Sequence, residues 1–259
     1  MKRTHIKERL DAPPGFFACE AAGLDWLRVD GGPQVARATS VGATRLELEF
    51  IDSVPPSHEA AHNFGRRLSR LHQTPAPSFG SVPPNWDGEW FFGPLHRVFS
   101  IPVTEVGAWS EFFVSARLEP LREMLRAGGH LDESLDVRLT QLGERVEARQ
   151  PYAGSNAVRV HGDLWSGNVI WSPTGVVLID PAAHGNHPYT DLAMLELFGC
   201  PLLDEIFSGY FEESNLAKPG ATDIALHQIF PIGMHVVIFG SGYRPHLDDL
   251  LVRALDLDI

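Results

Sequence analysis

The sequence predicts an α+β protein in two unequal parts: a small N-terminal portion of strands and one helix, and a larger, mostly helical C-terminal portion. Residues 44–51, "TRLELEFI", alternate polar and apolar side chains, as a half-buried strand does. Residues 57–72 repeat apolar side chains at helical spacing. Two β-branched runs, 168–171 and 176–179, flank "SPTG" and predict one hairpin inside the helical portion.

The connector "DSVPPS" separates two predicted domains, 1–51 and 52–259. Ser57, at the end of this connector, is a suitable N-cap for the next helix. The stretch 73–94 is rich in proline and aromatic residues and is predicted to be irregular. Pro120 is expected to kink or end the helix that contains it. Helices are predicted over 13–28, 57–72, 105–127 and 132–149 and from about 188 onwards, and a short strand over 158–160.

The composition restricts the class of protein and its partners. A formal net charge of −12 argues against nucleic-acid binding, which needs a basic surface. No apolar run reaches the length of a membrane-spanning helix, and the basic start is not followed by the apolar segment of a secretory signal. Cys19 and Cys200 are the only cysteines, which suits reduced thiols. We therefore expect a cytoplasmic protein with a small-molecule partner, and neither nucleic acid nor membrane.

Chemistry-bearing residues are concentrated in "VHGDLWSGNVIWSPTGVVLID", from Val160 to Asp180. Asn168 and Asp180 stand at the two ends of the predicted hairpin and are expected to be neighbours, with Asp163 close to both. Asp and Asn oxygens are hard ligands that suit Mg²⁺ and its substrate phosphates. A further carboxylate beside such a site can accept a hydroxyl proton as that oxygen attacks phosphorus. Each Asp alone is better explained as a turn residue or helix cap, but the ordered set predicts phosphoryl transfer.

This order resembles the catalytic loop and metal-binding aspartate of the protein-kinase-like phosphotransferases. Protein kinases have His-Arg-Asp, then Asn five residues after the Asp, then Asp-Phe-Gly. Here the chain has His161-Gly162-Asp163, Asn168 and Asp180-Pro181-Ala182. The wider text, "HGDLWSGN" and "LIDPAAHGNHPYTDLAMLELFG", resembles the fructosamine kinase (ketosamine kinase) family. The match is strong over residues 158–200 and extends loosely to both ends, and it implies a two-lobed protein-kinase-like fold with a truncated small lobe.

The resemblance also implies a role for each matching residue. Asp163 and His161 would be the catalytic part of the loop, with Asp163 as the base and His161 as its brace. Asn168 and Asp180 would hold Mg²⁺, and Asp191 would support the loop from the following helix. The residues expected at the acceptor site are Trp165, His184 and His187. Both of these histidines are also open to a purely structural interpretation, and a zinc site in "AAHGNH" is the least favoured alternative.

The nucleotide side of the site is less complete. The resemblance places a phosphate-binding lysine near the start of the chain, with Lys2 as the first candidate, Lys7 as the second and Glu20 as its partner. The residues expected near the adenine are Glu49, Phe50 and Ile51. The chain contains no glycine-rich G-x-G-x-x-G loop and no Walker A sequence. Three explanations stay open: a start recorded too far downstream, an open nucleotide site with reduced activity, or a catalytically impaired relative.

The resemblance therefore implies an ATP- and Mg²⁺-dependent transferase that phosphorylates a sugar hydroxyl of a fructosamine or similar sugar-amine adduct. Such phosphorylation would destabilise the adduct and release the amine, which is a repair reaction. Two alternatives remain. One is a kinase of another hydroxylated amine, such as an aminoglycoside. The other is a non-catalytic binding protein with a kinase-like large lobe.

Overall fold

The computed structural model describes residues 3–84 and 86–255. The strands are β1 (Thr4–Glu8), β2 (Gln34–Val35), β3 (Ala38–Val41), β4 (Arg45–Glu49), β5 (Trp90–Phe92), β6 (Phe99–Ile101), β7 (Val158–Val160), β8 (Val169–Ser172), β9 (Gly175–Leu178) and β10 (His184–Asn186). The helices are α1 (Phe16–Trp26), α2 (His58–His72), α3 (Trp109–Phe113), α4 (Glu119–Ala127), α5 (Glu133–Arg149), α6 (Tyr189–Leu197), α7 (Leu203–Glu213), α8 (Ala221–Phe239) and α9 (Arg244–Leu255).

The N-terminal part is a three-stranded antiparallel sheet with α1 packed against it. The strand order is β1-β4-β3, and Lys7 lies opposite Leu46 on the neighbouring strand. Gly15, with φ 81°, turns the chain into α1, because the left-handed region is accessible to glycine at little cost. Phe17 and Leu24 of α1 share a buried apolar cluster with Leu46. The helix and strand predicted here are both confirmed, each with shorter ends than expected.

Strands β8 and β9 form the predicted hairpin. Val169 pairs with Leu178 and Ser172 with Gly175, which fixes the register. The Ser172 hydroxyl donates to the carbonyl oxygen of Gly175 (2.7 Å) and closes the turn. Strand β2 adds to the other edge of β9 in parallel. The hairpin is therefore tied to the N-terminal part as well as to the helical part.

Two segments differ from the sequence-based expectation. The stretch predicted to be irregular contains β5, which pairs with β6 in an antiparallel hairpin. The helix predicted over 105–127 begins at Trp109 and is interrupted by a π-helical turn, Val114–Leu118, directly before Pro120. Proline has no N–H to donate to Ala116 O, one helical turn earlier. The side chain of Arg117 donates to that carbonyl instead (2.8 Å).

Helix α8 is the most apolar element of the helical part. Among the described residues it is the one helix whose length and hydropathy (1.3 over 18 residues) would suffice to cross a membrane, and 78% of that window is buried inside the protein. It packs against α6, α4 and α9, and its buried apolar side chains share the larger of two clusters with those of α4 and α9. These contacts make it the central core helix of this part of the chain.

Helices α2 and α7 cross with their backbones in direct contact. Ser57 Oγ accepts the N–H of Ala60 (3.2 Å) and caps α2, as predicted. A methyl group on Gly65 of α2 would overlap the carbonyl oxygen of Ile206, and one on Gly209 of α7 would overlap that of His62. Both glycines are required because neither position has room for a Cβ atom. This crossing sets the distance between two side chains that support the site described below.

We expect Gly209→Ala to lower the free energy of unfolding by about 1–3 kcal/mol, the usual cost of overpacking a tight contact. Urea unfolding followed by circular dichroism measures the change. Gly107→Ala is the matched control, because a Cβ atom there meets nothing within 4 Å. Equal stability of the two variants would show that the helices separate at no cost.

Candidate active site

The loop after β7 is anchored by the carboxylate of Asp191, which is completely buried at the start of α6. Its Oδ2 accepts the backbone N–H of His161 (2.7 Å), and its Oδ1 accepts that of Gly162 (2.8 Å). Gly162 has φ 80°, and a Cβ atom there would overlap Ala182 O. Two successive N–H groups can point at one carboxylate only because this residue is glycine. The loop conformation therefore depends on Asp191.

Two further side chains complete the environment of Asp191. His72, at the end of α2, places Nε2 3.1 Å from Oδ2 of Asp191, and its Nδ1 lies 2.9 Å from the hydroxyl of Tyr210 on α7. Burial alone raises the pKa of Asp191, but the bond and charge of His72, with the loop N–H groups, lower the net pKa below its usual value. The carboxylate is thus ionised at neutral pH. The α2–α7 crossing holds His72 and Tyr210 in register.

His161 connects this loop to the end of the β8–β9 hairpin. Its Nε2 donates to the carbonyl oxygen of Ile179 (2.8 Å), and its Nδ1 accepts the N–H of Asp163 (3.3 Å). Burial lowers the pKa of the imidazole, so it is neutral. Both ring nitrogens are engaged inside the loop and the residue is fully buried. His161 is placed to position Asp163 and does not itself face the cleft.

The hairpin brings Asn168 and Asp180 beside Asp163, as its predicted register requires. Nδ2 of Asn168 donates to the backbone oxygen of Asp163 (2.7 Å), to its carboxylate (3.2 Å) and to the backbone oxygen of Asp180 (3.4 Å). Asp180 has φ 55°, a left-handed conformation directly after the second strand. Burial raises the pKa of Asp163 to about 8, Asn168 opposes that rise, and the charges of Asp180 and Asp191 add to it.

A lysine links the hairpin to the N-terminal sheet. Lys7 of β1 lies 2.8 Å from Glu20 of α1 and 2.6 Å from Asp180. Burial opposes a charge on this lysine, but the two carboxylates raise its pKa above the usual value. Lys2, the first candidate, lies outside the described residues, and the lysine that contacts Glu20 is the second candidate, Lys7. Lys7 is the described lysine that contacts both Glu20 and Asp180.

These groups line one wall of a cleft of about 1020 Å³, which is large enough for a nucleotide and a small acceptor. Trp165 stands at its edge, 39% exposed, with its ring at right angles to that of Phe198. Aromatic side chains continue along this wall: Phe198, His235, Phe239 and Tyr243. Apart from Trp165, none of these was predicted from the sequence: His235 and Phe239 lie on α8 at the spacing of ordinary core residues, and Phe198 and Tyr243 lie just outside α6 and α9.

His184 and His187 are not in this cleft, and their assignment to the acceptor site is a point that the structure corrects. Both are buried, at 2% and 4% exposure. His184 Nδ1 donates to Ala182 O (2.8 Å), and the ring of His187 stacks on Tyr152. Burial lowers the pKa of each to about 3. Within residues 3–84 and 86–255, no group of three or more His, Cys, Asp or Glu side chains is arranged to hold a metal ion.

Glu49, Phe50 and Ile51, the residues expected near the adenine, do not line this cleft. Glu49 accepts the backbone N–H of Arg37 (3.0 Å), and the ring of Phe50 is covered by the guanidinium of Arg3. With Ile51 they line a separate recess of about 550 Å³ beside the hairpin turn. Glu49 is the last residue of β4, and Phe50 and Ile51 follow it, so the strand itself was predicted correctly. The β5–β6 hairpin contributes cleft residues that were not anticipated: Phe91, Phe92, Pro94 and Leu95.

Comparison with known proteins places this geometry in a family. The sequence model of the family described as "Fructosamine kinase" matches residues 2–256. A probable ketoamine kinase of Thermus thermophilus is 31% identical over 240 residues, which cover 92% of this chain and 82% of that protein. The structure of a fructosamine-3-kinase homologue from Thermobifida fusca is 38% identical, with a TM-score of 0.85, and the match covers 98% of this chain and 86% of that one.

More distant structures share the fold alone. Choline kinase LicA of Streptococcus pneumoniae is 17% identical, with a TM-score of 0.56, over 98% of this chain and 85% of that chain. The protein-kinase-like fold predicted from the sequence is therefore confirmed. Because the family match spans nearly the whole chain and includes the complete Asp163–Asp180 segment, the chain belongs to the fructosamine kinase family and is a small-molecule kinase.

Proposed function

We propose that the chain transfers the γ-phosphoryl group of ATP to a sugar hydroxyl of a ketoamine, with Mg²⁺ as the cofactor. ATP use follows from membership of a kinase family. One observation carries the rest: Asp163, Asn168 and Asp180 converge at the floor of a cleft where Lys7 reaches across from the N-terminal sheet. Residues 1–51 would then form the nucleotide side and 52–259 the acceptor side. We also propose a cytoplasmic location, because Cys19 and Cys200 are both free thiols.

The donor set at the hairpin ends fits Mg²⁺. Nδ2 of Asn168 makes its bonds to three oxygens, which leaves Oδ1 of the same amide for a cation. Asp180, which follows the second strand of the hairpin, supplies a carboxylate beside Asn168. Mg²⁺ is commonly held by one or two protein oxygens together with phosphate oxygens and water. When bound, it would neutralise the phosphate charge and hold the phosphates in line with the acceptor.

The remaining steps belong to side chains of this protein. Lys7, held by Glu20, would contact the α- and β-phosphates as a point charge. The ionised form of Asp163, made more basic by its raised pKa, would accept a hydrogen bond from the acceptor hydroxyl and take its proton as the new O–P bond forms. The bond between the γ-phosphorus and the bridging oxygen breaks in the same step, and ADP leaves with that oxygen. Positioning by Asp191 and His161 supplies the alignment that such a transfer needs.

The aromatic wall supports an amine-bearing acceptor. Trp165 lies two residues after Asp163 in the loop, and its half-exposed ring lines the cleft. A protonated amine over the face of a tryptophan is favoured by about 0.5–2 kcal/mol. We therefore assign the sugar hydroxyl to Asp163 and the amine portion of the adduct to the wall that begins at Trp165.

The first test is substrate turnover. Purified full-length protein is given Mg-ATP and a panel of acceptors, namely a fructosamine, a ribulosamine, an aminoglycoside and choline, and ADP release is measured. We expect turnover with the ketoamines and a kcat about 10²–10⁴-fold lower for Asp163→Asn, since that change removes a general base. Mg-ATP binding by calorimetry should persist in the variant. Turnover confined to the aminoglycoside would point to the alternative acceptor, and binding with no turnover to a non-catalytic protein.

The second test separates the two candidate lysines. Lys7→Met should raise the KM for ATP at least tenfold, because it removes the charge that Glu20 and Asp180 hold in the cleft. Lys2→Met is the matched control and should leave the KM unchanged. Thermal unfolding of both variants checks that the Lys7 variant is folded. If Lys2→Met has the larger effect on the KM, the assignment of the phosphate-binding lysine is wrong.

The third test concerns Asp191. In Asp191→Asn one loop N–H faces an amide N–H, and an unsatisfied buried donor costs about 1–3 kcal/mol. The native pKa of Asp191 is lowered, so its contribution to stability is present above the ordinary Asp range and is lost as the pH falls through the native pKa. Urea unfolding from pH 7 to pH 3 should therefore show a gap between wild type and variant that closes towards acid. Asp249→Asn, at an exposed pair with Arg253, should show little gap at any pH.

A further inference from the structure

A second, much smaller cavity adjoins the catalytic loop. Its volume is about 30 Å³, and its walls include Gly162 of the loop, the buried ring of His184 and the side chain of Arg117. Phe92 and Met194 line both this cavity and the main cleft. A water molecule needs about 10–15 Å³ on this measure. The space therefore holds a particle of one or two non-hydrogen atoms and excludes a phosphate group.

Arg117 is a buried cation without an acidic partner. It is 6% exposed and lies on the π-helical turn before Pro120. Its guanidinium donates to Ala116 O and lies over aromatic rings, at 4.6 Å from the centroid of Trp90 and 4.4 Å from that of Phe112. No carboxylate of the described chain lies within 4.0 Å of it. Burial lowers its pKa to about 9, so the charge persists at neutral pH. Buried guanidinium groups ordinarily have an anion beside them.

The other polar groups around the cavity are mainly donors. Within the described residues, Nε1 of Trp90 and Nε2 of His227 are buried and lack a hydrogen-bond partner. Nδ1 of His227 lies 3.0 Å from the hydroxyl of Thr190, which can donate to it and leave the proton on Nε2. The nearby carboxylate of Asp191 is committed to His72 and to the loop N–H groups. Arg117, Trp90 and His227 thus bring a guanidinium and two unpaired N–H groups to the lining of a space to which no carboxylate residue contributes.

We propose that this cavity binds a monatomic anion, chloride in the cell, with Arg117 as the counter-ion and the indole N–H of Trp90 as a further donor. The volume selects a halide over carboxylate and phosphate ligands. The site is distinct from the acceptor and nucleotide sites proposed above, because its lining shares only Phe92 and Met194 with that of the main cleft. Since one wall is Gly162, an occupied site would also stabilise the loop that carries Asp163.

The test compares anions at constant ionic strength. Thermal unfolding of the full chain is followed in sodium chloride, sodium bromide and sodium gluconate, whose anion is too large for the cavity. Binding to the folded state alone raises Tm with anion concentration. We expect Tm to rise with chloride and bromide but not with gluconate, and the rise to be absent in Arg117→Met. Arg126→Met removes an exposed arginine from the neighbouring helix α4 and should keep the full halide effect.

Two further measurements keep the proposal testable if Arg117→Met does not fold. Trp90→Phe removes one N–H and retains the ring, and should raise the halide concentration for half-maximal effect about tenfold, the value of one hydrogen bond to a charged group. Crystals grown in bromide should show an anomalous peak beside Arg117. Identical unfolding curves in halide and gluconate, or an empty or water-filled cavity in the bromide crystals, would overturn the proposal.

Discussion

The buried carboxylate of Asp191 is the interaction on which the catalytic loop depends. Two consecutive N–H groups, from His161 and Gly162, and one imidazole nitrogen of His72 converge on it. A buried charge is costly unless each of its lone pairs is satisfied, so this constellation is either complete or strongly destabilising. That requirement explains features far from the loop, including Gly65 and Gly209, whose missing side chains let α2 and α7 approach closely enough for His72 to meet Tyr210. The helix crossing in the core is thereby part of the geometry of the cleft.

The second constraint is the hairpin between Asn168 and Asp180. Because Val169 pairs with Leu178, Asn168 before one strand and Asp180 shortly after the other lie at the same end of the hairpin. Lys7 then reaches Asp180 from a different sheet. The hairpin is tied to both parts of the chain, through β2 on one side and through His161 and Ile179 on the other. Relative movement of the two parts would therefore change the Lys7–Asp180 distance directly.

The parts of this arrangement that were predictable are those encoded locally. The hairpin, the spacing of Asp163 and Asn168 and the cap at Ser57 each depend on a few neighbouring residues, and all were found where the sequence placed them. Side-chain direction was less predictable. His184 and His187 resemble ligands in the sequence, yet both rings pack in the core, because a neutral histidine with satisfied nitrogens behaves as an ordinary buried aromatic. Of the two lysines near the start of the chain, the sequence favoured Lys2, whereas the contact with Glu20 is made by Lys7, the second candidate. The β5–β6 hairpin was missed because proline and glycine obscure its short aromatic strands.

Gly162 lies between two buried charges that are compensated in different ways. Its N–H donates to the carboxylate of Asp191, which has a full set of donors. Gly162 also lines the small cavity, together with the cation of Arg117. Aromatic faces of Trp90, Phe112 and Phe230 offset part of the cost of burying this guanidinium, at about 2 kcal/mol or more for each desolvated contact. They provide no lone pair for its N–H groups, however, and an ion whose hydrogen bonds are incomplete stays costly to bury. The Ala116 carbonyl freed by Pro120 adds one neutral acceptor, which is still less than the charge requires. The anion of Asp191 thus has all its hydrogen-bond partners inside the protein, whereas the cation of Arg117 does not. An anion from solution would complete the environment of Arg117, and we therefore place it in the small cavity and not in the large cleft.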